Sequence, residues 1–341
     1  MAFVGLRCNK MEKHFSTCAA GNRFRRADRS YSFLSKWALH SSPAWLAPAG
    51  LFLLFGATLH ATKKPAAARG AEERGLSLNV ARHSPSDLEV GGELTGLRPG
   101  TTRYMPLSAL LALPQVTYTV TDDPTFVGPT KIGGVPLDEL ARLLSAAPES
   151  EMVVAICDDK YRGYYSRAYV TAHHPLLVLR VNGQLPPRWP KDPETHGRIE
   201  PYLISHSKFT PSFKILSHTD QAQIPWGVVR IEFRDEKAVL GAIAPRGPRA
   251  QDPAVQAGYR IAQQNCFRCH NMGGEGGEKS GRPWLVLAAW ASASPEYFSA
   301  YVRDPKKKNR HTEMPGNPSY DGATIQALRD YFATFLSAEK P

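Results

Sequence analysis

The 341-residue sequence has one Cys-x-x-Cys pair and no second, no internal repeat and no apolar run long enough for a comfortable membrane span. Outside its first 64 residues it has almost no excess of positive charge. Each absence removes a class of protein. Without a second thiol pair, the Cys-x-x-Cys cannot be half of a four-cysteine zinc site. Without repeats, a solenoid or propeller has no sequence basis. The formal charge is +11, but residues 1–64 hold ten Lys and Arg against two Asp and Glu, so the remainder carries only +3. A body that is nearly neutral is a poor match for the phosphate backbone, and no nucleic-acid partner is expected.

Residues 45–61, WLAPAGLFLLFGATLHA, place a short apolar run behind a basic stretch of Arg23, Arg25, Arg26, Arg29 and Lys36 and end in small residues. That order is the pattern of an export signal. It predicts a leader over 1–61 and a periplasmic, exported protein. An uncleaved anchor in the inner membrane is the alternative, and Pro48, Gly50 and Gly56 within the run and the lack of a clear stop-transfer flank count against it. Arg25-Arg26 is only a weak hint of twin-arginine export. A start further downstream would remove Cys8 and Cys18 from the mature chain.

With 42% hydrophobic residues and this length, about two domains are expected. Residues 62–82 are rich in Ala, Gly and charge and read as a tether. Residues 83–245 hold short β-branched runs, among them Val116–Val120, Met152–Ile156, Leu176–Val181 and Gly227–Phe233. These are of strand length. The leucines of Pro136–Leu144 recur at helical spacing instead. A mixed α+β domain follows. Residues 246–252, Pro- and Gly-punctuated, read as a linker to a helical C-terminal domain over 253–341.

Cys266-Phe267-Arg268-Cys269-His270 is the most specific motif of the chain. Two thiols three positions apart can each form a thioether with a haem vinyl group, while the next residue reaches the iron. The flanks suit such a site. Asp252–Asn265 reads as an opening helix with Pro253 in its first turn and Gly258 where a second helix can approach closely. From Asp321 onward Ile325, Leu328, Tyr331, Phe332, Phe335 and Leu336 recur at helical spacing. Two crossed helices, one at each end of the domain, are predicted. A methionine thioether suits the second axial position of an electron carrier, since a soft ligand favours Fe(II). Met314 is the candidate. Met272 follows His270 too closely to reach the opposite face, and His311, three residues before Met314, is the competitor. Lys306, Lys307, Lys308 and Arg310 form a basic loop beside it, either a docking patch for an acidic redox partner or a solvated loop.

On these residues the C-terminal region resembles the class I cytochrome c family over roughly 90 residues. The resemblance implies an all-α fold and one covalent haem c. It carries the small helix-crossing glycine onto Gly258, the C-terminal aromatic onto Tyr331, the thioether cysteines onto Cys266 and Cys269, and the iron ligands onto His270 and Met314. The proline whose carbonyl accepts from the axial imidazole falls on Pro283, in Gly281-Arg282-Pro283-Trp284-Leu285.

The middle region carries a weaker resemblance. Gly134-Val135-Pro136-Leu137, Leu143-Leu144, Asp158-Asp159-Lys160-Tyr161, Pro175–Leu179 with Asn182-Gly183, and Ile224–Ile231 follow the order of landmarks in the molybdopterin-binding domain of the sulfite oxidase family, over residues 100 to 233. The family's mixed-sheet α+β fold is implied. Its molybdenum-anchoring cysteine falls in Thr117–Pro124, which contains no cysteine, so a molybdopterin is doubtful. Cys157 is the domain's one thiol and reads as a buried structural residue. His173, His174, His206 and His218 lack recognisable metal-ligand spacing. Asp158 and Asp159 with Arg162 and Arg167 read as surface ion pairs rather than an anion pocket. The resulting expectation is an exported single-electron carrier serving a redox partner protein such as an oxidase, a dehydrogenase or another cytochrome. Its rivals are a self-contained, sulfite dehydrogenase-like enzyme feeding its own haem, and a binding module tethering the cytochrome to a membrane redox complex.

Overall fold

The computed structural model describes residues 76, 78–121, 123–193, 196–207 and 223–336. The predicted leader, most of the tether and His218 lie outside the described residues. Among the described residues no helix is long and apolar enough to cross a membrane.

Two sheets build the middle region. Leu88–Gly92 (β1), Arg103–Met105 (β2), Met152–Cys157 (β5), Arg162–Ser166 (β6) and Val228–Arg234 (β9) form a five-stranded sheet in the order β2-β1-β9-β5-β6. Its β1–β9 pair is parallel, with Val90 opposite Ile231, and the other pairs are antiparallel. Val116–Val120 (β3), Thr130–Pro136 (β4), Pro175–Val181 (β7) and Leu203–His206 (β8) form a second, antiparallel sheet in the order β3-β4-β7-β8. Three short helices intervene, Leu107–Leu111 (α1), Leu137–Leu143 (α2) and Arg167–His173 (α3), and Glu236–Gly241 (α4) follows β9. Helix α2 carries Asp138 and Glu139 in its first turn and Arg142 in its last, each charge at the favourable end of the helix dipole. Ser166 caps α3 through the Tyr169 amide, and His174 ends it with a left-handed backbone. The predicted strands and the Leu137 helix are therefore present. Folded structure begins earlier than the predicted boundary at 83, since Asn79 already pairs with Tyr104.

The C-terminal region is helical: Pro253–Asn265 (α5), Trp284–Ala293 (α6), Pro295–Arg303 (α7), Pro305–Lys308 (α8) and Gly322–Ala333 (α9), with a two-stranded ribbon of Asn271–Met272 (β10) and Glu275–Gly276 (β11). Helices α5 and α9 cross at Gly258. A Cβ there would lie 2.0 Å from the Ala327 carbonyl oxygen and 2.7 Å from Tyr331 Cβ, so only glycine fits.

The two regions are not separate bodies. The described residues fall in one compact unit, and strand β5 shows why. Its side chains alternate between faces: Val153 and Ala155 pack into the core shared with Val135, Leu177 and Ile204 of the second sheet, whereas Met152 and Val154 pack with Val255, Phe267, Trp284, Leu328 and Tyr331 of the helical region. The residues read as a linker, 246–252, thus join two halves that share one of these apolar clusters.

Candidate haem site

Helix α5 delivers the Cys-x-x-Cys-His motif. The helix stops at Cys266, and the chain closes a tight turn in which the Cys269 and His270 amides both donate to the Cys266 carbonyl, at 3.2 and 3.0 Å. Both thiols are free and half-buried. Burial pushes the Cys266 thiol up to about 12 and the Cys269 thiol up to about 11, so neither is a thiolate at neutral pH. A thioether, which carries no ionisable group, suits such an environment. Gly277 lets the following loop fold back onto the turn. A Cβ on Gly277 would meet the Arg268 carbonyl oxygen at 1.8 Å.

His270 is buried, and its Nδ1 lies 2.7 Å from the carbonyl oxygen of Arg282. A carbonyl only accepts, so Nδ1 is the N–H donor and Nε2 is the unprotonated nitrogen available to a metal. Burial lowers the pKa of this imidazole, against the Arg282 carbonyl bond that raises it. The acceptor corrects the expectation for Pro283. The Pro283 carbonyl instead accepts from the Val286 amide at 2.9 Å. Pro283 precedes the first residue of α6, so its carbonyl enters the helical ladder and the free carbonyl one peptide earlier serves the imidazole.

Arg282 also reaches the other side of the site. Its guanidinium lies 5.0 Å from the Trp290 ring centroid and 5.8 Å from that of Tyr301. The Tyr301 hydroxyl donates to Thr312 Oγ1 at 3.1 Å, and the Met314 amide donates to the same oxygen at 3.2 Å. Met314 is half-buried against the helical core, whereas His311 is exposed and directs its amide to Asn309 Oδ1. Met272 also packs at the edge of that core, on the ribbon just after His270. Lys306, Lys307, Lys308 and Arg310 are all exposed.

Sequence reasoning missed how closely the middle region holds this motif. The Arg162 amide donates to the Arg268 carbonyl at 2.9 Å, and Tyr164 stacks on Phe267. Lys279 pairs with Asp159 of the middle region and with Glu313 next to Met314. Glu275 pairs with Arg234 and Arg162. Asp159 and Arg162 thus form their ion pairs with residues of the helical region, and Arg167 pairs at the surface with Glu151. One signal was available: Met152–Ile156 is apolar at every position, the mark of a strand covered on both faces. A buried Trp284, whose indole N–H donates to the Tyr331 hydroxyl at 3.2 Å, was also missed.

The remaining candidates do not converge on a metal site among the described residues. Cys157 is buried at the end of β5, and burial together with the Asp159 and Asp158 charges raises its thiol well above the usual range, which opposes a thiolate ligand. His173 and His206 have ring centroids 6.3 Å apart, and both pack on Tyr169. Among the described residues no group of three or more His, Cys, Asp and Glu side chains could hold a metal ion.

Comparison with known proteins places the helical region. Residues 253–332 match the family model described as cytochrome C oxidase, cbb3-type, subunit III. No curated protein matches the chain. Among solved structures, the sulfane dehydrogenase SoxCD from Paracoccus pantotrophus is similar at 13% identity and a TM-score of 0.32. The similarity covers 50% of this chain and 45% of that one, so this chain spans less than half the length of that relative. With its free thiol pair, its oriented histidine and this match, the region 253–332 is a cytochrome c domain, which implies haem c and haem-based electron transfer.

Proposed function

We propose that the chain is an exported mono-haem cytochrome that carries single electrons to or from a redox partner protein. Cys266 and Cys269 hold the haem as thioethers, and His270 and Met314 bind its iron. The observation that carries this reading is the Nδ1 bond of His270 to the Arg282 carbonyl, which fixes the tautomer and aims Nε2 as a ligand. When bound, the haem supplies the one-electron Fe(III)/Fe(II) couple. The chain's own contribution is to orient the imidazole, to tie down the Met314 loop through Thr312 and Tyr301, and to exclude water with Phe267, Trp284 and Tyr331. The exposed Lys306, Lys307, Lys308 and Arg310 would steer an acidic partner toward the Met314 side, with a rate that falls as salt rises.

The middle region is assigned the sulfite-oxidase-like fold on its ordered sequence landmarks and its two facing sheets. It acts as a docking and supporting body without a molybdenum thiolate, in keeping with the buried, protonated Cys157. Export to the periplasm rests on the basic-then-apolar leader.

One purified sample tests the proposal. Pyridine haemochrome and metal analysis should give one haem and one iron per chain without molybdenum, and the oxidised protein should show the weak absorption band near the red end that accompanies methionine ligation. Stoichiometric molybdenum with turnover of sulfite would replace this reading by the self-contained enzyme. A missing red band with bis-histidine spectra would move the sixth ligand to His311.

A further inference from the structure

The second variable residue of the haem motif carries a charge that no carboxylate answers among the described residues. Arg268 lies between Cys266 and Cys269 in sequence, yet its side chain enters the junction with the middle region. Its Nη1 donates to the Tyr161 hydroxyl at 3.3 Å. Its Nε and Nη2 are buried and have no hydrogen-bond partner, and among the described residues no carboxylate pairs with it. The charge is felt at Tyr161, Tyr165 and Tyr169 and at the buried His206, which is pushed down to about 3 chiefly by burial, then by His173 and Arg268.

Which two nitrogens are unanswered decides the chemistry. Nε and Nη2 form the side-on edge of a guanidinium, the pair of parallel N–H groups that matches two oxygens of one anion. A buried cation without a counter-charge costs several kcal/mol, and two unmade charged hydrogen bonds add to that cost. An anion with two adjacent oxygens removes both penalties. We propose that the side-on edge of Arg268 binds such an oxyanion at the junction between the middle region and the Cys266–His270 turn. The class is a tetrahedral oxyanion or a carboxylate.

The anion has two sources, a free oxyanion from solution or a propionate of the haem. In a c-type haem the thioether and propionate edges lie on opposite sides of the macrocycle, and Arg268 sits between the two thiols, so its position favours the free anion. Only the haem arm rests on the haem reading above. The site couples the middle region to the cytochrome, since Tyr161 and Arg268 come from opposite sides of the junction.

The test uses the full-length protein, with haem content measured on the same sample. Sodium sulfate, a dianion across the neutral range, is titrated calorimetrically at constant ionic strength set with chloride. Saturable one-site binding is expected, absent in Arg268→Gln and weaker by about tenfold or more in Arg268→Lys, which keeps the charge without the fork. If sulfate produces no heat, resonance Raman decides: a haem propionate bending mode that shifts in Arg268→Gln but not in Arg260→Gln supports the haem as source. No sulfate binding together with an unmoved propionate mode overturns the proposal. The calorimetric arm needs no haem, so failure of the haem assignment and failure of the anion site remain distinguishable.

Discussion

Tyr164 of β6 stacks on Phe267 of the haem motif, with ring centroids 4.9 Å apart and planes within 20° of parallel. Tyr164 comes from the middle region and Phe267 from the cytochrome, and both are buried in the same apolar cluster. One contact therefore ties the haem turn to the sheet that precedes it by about a hundred residues of chain, which makes the two halves one cooperative structure.

Unfolding should accordingly be a single transition. Urea denaturation followed by far-ultraviolet circular dichroism and by the haem Soret band should give coincident midpoints. Tyr164→Ala should lower both together, by about 3 kcal/mol for a large buried aromatic. Two separated midpoints, with only the sheet signal moved by Tyr164→Ala, would refute the shared core.

At the helix crossing, Gly258→Ala should be among the most damaging single-methyl additions in the chain. The new Cβ would sit 2.0 Å from a backbone oxygen, which cannot rotate away. Helices α5 and α9 would have to separate, at the upper end of the about 1–3 kcal/mol typical of overpacking. Gly274→Ala, where nothing lies within 4 Å, is the matched control and should cost little of this kind. Thermal melts of the two variants compare them directly.

Haem attachment should follow the thiols. Cys266→Ala or Cys269→Ala should each leave one thioether and a haemochrome band shifted to longer wavelength, and the double variant should retain no haem on a denaturing gel. Met314→Ala should abolish the red band and lower the reduction potential, since the soft ligand that favours Fe(II) is gone. His311→Ala should leave both unchanged. If His311→Ala alone removes the low-spin signature, the ligand assignment is wrong.

Acid stability should depend on His206. Its pKa is about 3 in the folded protein against about 6.5 for an ordinary histidine. Between these values the unfolded chain binds the extra proton, so stability is complete above about pH 6.5 and falls as pH drops toward 3, by on the order of a few kcal/mol. Urea midpoints at pH 7.5 and 5 should differ less in His206→Gln, whose amide retains a partner for the Tyr169 hydroxyl 3.0 Å away. An equal drop in both proteins would show that other groups govern the acid limb.

Much of the fold was legible because local rules sufficed. Strand β3 coincides with the β-branched run Val116–Val120, and α5 begins at Pro253 and ends at the motif as its periodicity requires. Gly258 and Tyr331 were legible as a helix crossing for the same reason: a small residue and a face of aromatics at helical spacing can be read one turn at a time. Pro283 was misassigned by one residue because which carbonyl is free depends on where α6 begins, and a helix boundary is a competition between neighbouring hydrogen bonds. Cys157, the strand-end thiol, was legible as buried. Its place in the core between the two sheets, with Val135, Leu177 and Ile204, was not.

The sequence by itself determined that the C-terminal region is a cytochrome c domain, because the Cys266-Phe267-Arg268-Cys269-His270 motif is set by residue type and by a spacing of three and four positions along the chain. It also determined that the strands and helices exist. Tertiary structure alone decided that the cytochrome is packed onto the middle region, that Arg282 serves His270, and that Arg268 points into the junction with an unanswered fork. Those outcomes join residues from 12 positions apart, as with His270 and Arg282, to 107 apart, as with Tyr161 and Arg268. They depend on which apolar faces find one another and on which buried polar groups are left over once they have, and no local pattern carries that information.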